Sequence, residues 1–207
     1  MDAGKSTISG VFNGSRLLEI PFYQRAYVWG EEQWERFLGD MEFVTASKRP
    51  YFLGSIILKQ ASSGNTWSEV SETRTVIDGQ QRLTTMVIFF KALCAKIDAG
   101  RLFERDFVLE TGEVALRHGK YDRQDFEKVV SAAGCEPLEG SSAIVRAYNY
   151  FLKNIDPEKI DRNTIKSNVQ FVCIDLTEGE DEQQIFDTIN SLGVRLTTAE
   201  LLKNYFF

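Results

Sequence analysis

The sequence predicts an α+β fold, a small mixed sheet packed with helices beside a mainly helical subdomain, and three observations carry that prediction. "YFLGSIILK" (51–59) and "TRTVID" (73–78) read as strands flanking a Ser- and Gly-bearing loop, so they pair most economically as a hairpin. Leu83, Met86, Val87, Phe90, Leu93, Cys94 and Ile97 recur at helical spacing and form an apolar stripe suited to a sheet face. "NVQFVCIDL" (168–176) returns to a strand pattern, buried on at least one face, after a stretch whose patterns are mostly helical. A hairpin with helices gathered beyond it belongs to the α+β class.

The remaining elements follow in chain order. "AGKST" (3–7) resembles the end of a phosphate loop, but that pattern needs an earlier glycine and a preceding strand, so a flexible or capping end is expected. Residues 16–20 read as a short strand stopped by Pro21, and "FYQRAYVW" (22–29) as an extended or turning segment. From Glu31, the spacing of Trp34, Phe37, Leu38, Met41 and Val44 predicts an amphipathic helix with Gly30 as its N-cap. Asp78 followed by Gln81 has the form of a capping box, which starts the next helix inside "VIDGQQRLTT" (76–85). Beyond it, "RDFVLE" (105–110) reads as a strand, "RHGKYDRQ" (117–124) as a polar connection, and "QDFEKVVSAA" (124–133) and "AIVRAYNYFLKNI" (143–155) as helices. "DEQQIFDTINS" (181–191) predicts another helix, and Thr197 with Glu200 a second capping box before "AELLKNYFF" (199–207). This divides the chain into a core over 1–99, a mainly helical insertion over 100–167, and a returning strand with helices over 168–207. Phe206 and Phe207 fall within an apolar helical face, so a further segment or a partner surface is expected beyond them.

Composition narrows the chemistry. With 43% hydrophobic and 26% charged residues, the chain is that of an ordinary globular protein, and it holds no apolar run long enough for a bilayer and no signal-peptide core. A cytoplasmic protein is the expectation. Cys94, Cys135 and Cys173 lie far apart, and His118 is the only histidine, which argues against a zinc site and against a self-contained HNH-type nuclease. A net charge of −6 gives no bulk attraction to duplex phosphates and favours a small anionic ligand in a local basic pocket.

Two segments concentrate that chemistry. In "VIDGQQRLTT" a strand, a turn at Gly79 and a helix start direct free N–H groups and the positive end of a helix dipole at one point, a natural anion site. Gly79 admits a close ligand, Gln80 and Gln81 can donate to phosphate or sugar oxygens, and Arg82 can neutralise phosphate. Asp78 could hold a divalent ion or orient water; equally, it could cap the helix while Arg82 pairs with a surface acid. In "IPFYQRAYVW" (20–29), Gln24 and Arg25 lie among Tyr23, Tyr27 and Trp29, suited to base stacking with phosphate contacts or to plain core packing. Two Gln-Arg pairs near strand ends point to one pocket. A third segment, "FDTINSLGVRLTTAELLKN" (186–204), adds Asn190, Arg195, Lys203 and Asn204.

These three segments, in this order, resemble the N-terminal domain of GmrSD-type modification-dependent (type IV) restriction endonucleases, with its "IPxYQRxYxW", "DGQQRLTT" and "FxxINSxGxxLTxAELLKN" segments. The resemblance implies a ParB/sulfiredoxin-like core that binds and hydrolyses nucleoside triphosphate with Mg2+ and controls an attached HNH-type nuclease in phage defence. No cysteine stands beside the Gln-Arg motifs, so sulfinic-acid reduction is not implied. Carried over by position, Asp78, Gln81 and Arg82 would be catalytic, with Asp78 also the metal ligand. Tyr23, Gln24, Arg25, Gly79, Gln80, Lys203 and Asn204 would bind nucleotide. The partners implied are nucleotide and modified DNA, the latter through a nuclease domain or subunit. The competing reading is a non-catalytic module that recognises modified DNA or a partner protein.

Overall fold

The computed structural model describes residues 2–61, 72–177 and 179–180. Six strands form one mixed sheet in the order β1-β6-β3-β4-β2-β5, and helices account for most of the rest. The strands are β1 (Asp2–Thr7), β2 (Arg16–Glu19), β3 (Tyr51–Gln60), β4 (Glu72–Asp78), β5 (Leu116–Arg117) and β6 (Val169–Leu176). The helices are α1 (Ile8–Val11), α2 (Glu31–Ser47), α3 (Gln80–Lys96), α4 (Gly100–Phe107), α5 (Arg123–Ser131), α6 (Ala143–Asn154) and α7 (Arg162–Asn168). The α+β class is therefore what the chain adopts.

The hairpin of β3 and β4 is antiparallel, with β6 parallel to β3 on one side and β2 parallel to β4 on the other. β6 is apolar on both faces. Val169 and Phe171 join the main core, whereas Val172, Ile174 and Leu176 cluster with Ile57 and Ile77 on the other side. α3 is buried nearly all round because it lies between the sheet and the helices α4, α5 and α6. Phe89 sits at the centre of that layer, with ring centroids 5.5 Å from Phe37 and 5.5 Å from Phe151 in edge-to-face contacts. The helices of 100–167 thus contribute to the same core as the sheet.

α2 starts where the spacing predicts, its first turn completed by the Gly30 N–H donating to Gln33 Oε1 at 2.9 Å. Three expectations are corrected. "AGKST" is part of edge strand β1, antiparallel to β6; its small and polar residues need only backbone pairing there, and Thr7 caps the short α1. "RDFVLE" is not a strand: its first three residues close α4, which buries Phe103 and Phe107 one turn apart, and Val108 then forms a single bridge to Val114. The polar connection 117–124 opens inside the sheet at Arg117, next to a buried His118. α7 was not foreseen. It is fastened to α4 through the buried Asp106 carboxylate, which pairs with Arg162 and, at 2.7 Å, with Lys166. The helices expected over 181–191 and 199–207 lie outside the described residues.

Candidate functional site

The strand-to-helix junction is built on one glycine. Gly79 is the N-cap of α3, with φ at +97°, and a Cβ there would stand 2.6 Å from Ile56 Cγ2. This corrects the capping-box expectation. The cap position belongs to Gly79, so Asp78 stands one residue too early, and Gln81 is turned away from the helix start. Among the described residues no side chain caps α3, and the first-turn N–H groups of Gln80, Gln81 and Arg82 have no side-chain acceptor.

The glutamines stitch two segments together. Gln24 donates to Ile77 O at 2.8 Å, Gln80 to Arg25 O at 3.0 Å, and Gln81 to Ala26 O at 3.1 Å while accepting from the Val28 N–H at 2.9 Å. The segment 21–30 has no regular secondary structure, so side-chain amides supply the partners that a ladder would otherwise give. Replacing Gln81 with methionine removes a donor and an acceptor at once, and we expect a loss of about 2 kcal/mol. Hydrogen exchange at Val28 should accelerate at least tenfold in that variant, and unchanged exchange would show that the segment is held by other means.

Arg82 lies along the backbone of β3, its Nη2 donating to Ser55 O at 2.7 Å and to Asp78 Oδ2 at 3.3 Å. It fits there because Gly54, at a sheet irregularity with φ at +139°, has no Cβ; one would stand 3.2 Å from the guanidinium. Arg82 Nε is buried without a hydrogen-bond partner among the described residues. The Asp78 side chain is 38% exposed and that of Arg82 26%, so both ends of the pair reach solvent at the head of α3.

Behind the junction runs a buried polar chain that sequence reasoning missed. Tyr27 Oη shares a 2.7 Å hydrogen bond with Thr85 Oγ1 and accepts one from Trp34 Nε1 at 2.8 Å; burial pushes its phenol up to about 12. The Tyr27 N–H donates to Asp122 Oδ2 at 2.7 Å, while Thr84 Oγ1 meets His118 Nε2 at 3.1 Å. Burial lowers the His118 imidazole to about 3, although Asp122 Oδ2 lies 3.8 Å from Nδ1. Burial prevails because that carboxylate is held by the Tyr27 N–H and is itself raised by desolvation. The threonine pair inside the motif was the available signal: polar residues on the buried side of a helix need partners.

Of the expected site residues, Tyr23 and Arg25 are exposed, Gln24 is half-buried, and Gly79, Gln80 and Gln81 are buried. Lys203 and Asn204, with Asn190 and Arg195, lie outside the described residues. An adjoining cleft of about 620 Å³ is lined by Glu19, Pro21, Phe22, Arg117, Lys120 and Arg123 among others, and contains none of the DGQQR residues. Among the described residues no group of three or more His, Cys, Asp or Glu side chains could hold a metal ion. No helix among them is long and apolar enough to cross a membrane.

Comparison with protein families matches residues 8–207 to the GmrSD restriction endonuclease, N-terminal domain. The chain belongs to this family. A GmrSD N-terminal domain is part of a restriction system. No curated protein matches the chain.

Proposed function

We propose that this GmrSD N-terminal domain binds a nucleoside triphosphate at the head of α3 and, by hydrolysing it, regulates a nuclease that attacks modified DNA. The observation that carries the reading is the uncapped start of a 17-residue helix beside a half-buried arginine with an unpartnered Nε. Phosphate oxygens fit both features: first-turn N–H groups supply dipolar donors, and Arg82 supplies charge and a fork of donors. Arg25 is exposed on the tethered segment and can reach a second phosphate oxygen or the sugar. The amide NH2 groups of Gln24, Gln80 and Gln81 act mainly on backbone carbonyls, so their role becomes to hold that segment against the site.

The metal reading narrows similarly. Asp78 offers a single carboxylate whose described partner is Arg82, so it suits a Mg2+ ion that arrives already bound to phosphates. The ion would supply charge neutralisation there, and Asp78 would hold or orient one of its waters.

Calorimetry with ATP, GTP, CTP and UTP in the presence of magnesium tests the proposal. Saturable heat is expected for at least one of them, with Arg82→Ala weakening it roughly 10–100-fold, as fits a lost charge-assisted contact. Arg82→Lys should recover part of the affinity. Absence of heat with all four in the folded wild type would overturn the reading.

A further inference from the structure

The far end of α3 borders a separate cleft of about 710 Å³ between α3, α4, the turn joining Val108 to Val114, and the end of α5. That volume falls within the range of small-molecule sites. Its walls combine apolar side chains, Phe103, Val108, Leu109, Val114 and Val130 among them, with about as much polar surface, and the cation among the lining residues is Lys91. Lys91 is half-buried, and its Nζ stands 5.0 Å from the Phe103 ring centroid. Among the described residues no carboxylate lies within ion-pair distance of it, and Glu104, on the same cleft, acts on it from farther away. A half-buried ammonium without a close ion pair is costly to keep; burial lowers its pKa and outweighs the opposing Coulombic effects of Cys94 and Glu104.

We propose that this cleft is a second ligand site, taking a small organic monoanion in which one carboxylate, sulfonate or phosphodiester group meets Lys91 and a ring-sized apolar body packs on the apolar side chains. The apolar side chains favour an occupant with an apolar body over a bare inorganic ion, which would leave them wet. Glu104 and Asp98 also line the cleft, both exposed, and they disfavour a polyanion such as a triphosphate. The site is therefore chemically distinct from the head of α3 and stands independently of the nucleotide reading. Both sites lie on the same buried helix, roughly 25 Å from end to end.

Anilinonaphthalene sulfonate has the required chemistry, a single anionic group on a fused aromatic body, and its fluorescence reports burial. Titrated into the folded chain it should bind saturably at one equivalent, and ATP with magnesium should not displace it. Lys91→Met, which keeps the apolar stem, should weaken binding at least fivefold, and Lys91→Arg should restore most of it. Ser131→Trp, at an exposed lining position, should block the site, with thermal melts confirming that each variant is folded. Absence of saturable binding in the wild type, or unchanged affinity in folded Lys91→Met or Ser131→Trp, would overturn the proposal.

Discussion

Gly79→Ala is expected to destabilise the domain by about 3 kcal/mol, as the sum of two separable effects. The first is conformational: φ is +97°, where a side chain strains the backbone by about 1–2 kcal/mol. The second is steric: the new methyl would stand 2.6 Å from Ile56 Cγ2 and 3.3 Å from Ile56 Cα, in the middle of the sheet where β3 cannot retreat. For a chain of this size the melting temperature should fall by roughly 6–12 °C. Ile56→Ala removes the closest atom, so in that background the glycine substitution should cost less, keeping the conformational part and the tight contacts with Cβ and Cα of residue 56 at 3.2 and 3.3 Å. A loss below about 0.5 kcal/mol in the wild-type background would show that the turn relaxes freely. Because Gly79 also presents the α3 start to the candidate phosphate site, nucleotide binding should fall along with stability.

The elements that were legible from the sequence are those whose burial imposes a period. α2, α3, α5 and α6 each carry an apolar stripe, and β3, β4 and β6 carry apolar runs bounded by polar turns. β1 was not legible because an edge strand of Asp, Ala, Gly, Lys, Ser and Thr is specified by backbone pairing with β6 and not by side-chain burial. α4 was misread because Val108 and Leu109 follow it directly, giving a strand-like run across a helix end. At the site, the proximity of the two Gln-Arg segments could be anticipated, but the amide partners could not. Those partners are the carbonyls of Arg25, Ala26 and Ile77, and backbone groups leave no mark in a residue pattern. Asp78 looked like a cap because a cap is recognised by residue type, whereas the cap here is set by the left-handed turn at Gly79.

Acid should destabilise this fold well above the carboxylate range, and His118 is the reason. Its imidazole is buried against the Phe126 ring, 4.3 Å between centroids, with Nε2 on Thr84, and burial holds its pKa near 3 against 6.5 in the unfolded chain. Between those values the unfolded state takes up a proton that the native state refuses. Stability contributed by the neutral ring is therefore complete above about pH 6.5 and is lost as pH falls, by up to about 1.4 kcal/mol per pH unit. By pH 4.5 the loss should reach about 3 kcal/mol. Asp122 acts in the opposite sense, since its raised pKa favours the protonated, less costly form in acid, so the comparison must keep Asp122 in both proteins. His118→Gln, which can still bond to Thr84 but cannot titrate, should give urea-unfolding free energies whose change between pH 7 and pH 4.5 is smaller than the wild type's by about 3 kcal/mol. Equal pH dependence in the two proteins would mean that the imidazole is hydrated in solution. Because Thr84 and Thr85 belong to the same helix start as Arg82, protonating His118 should also loosen the segment 21–30 through Asp122 and Tyr27. Hydrogen exchange at Tyr27, whose N–H donates to Asp122, would then quicken in the wild type below pH 5 relative to His118→Gln once intrinsic rates are corrected.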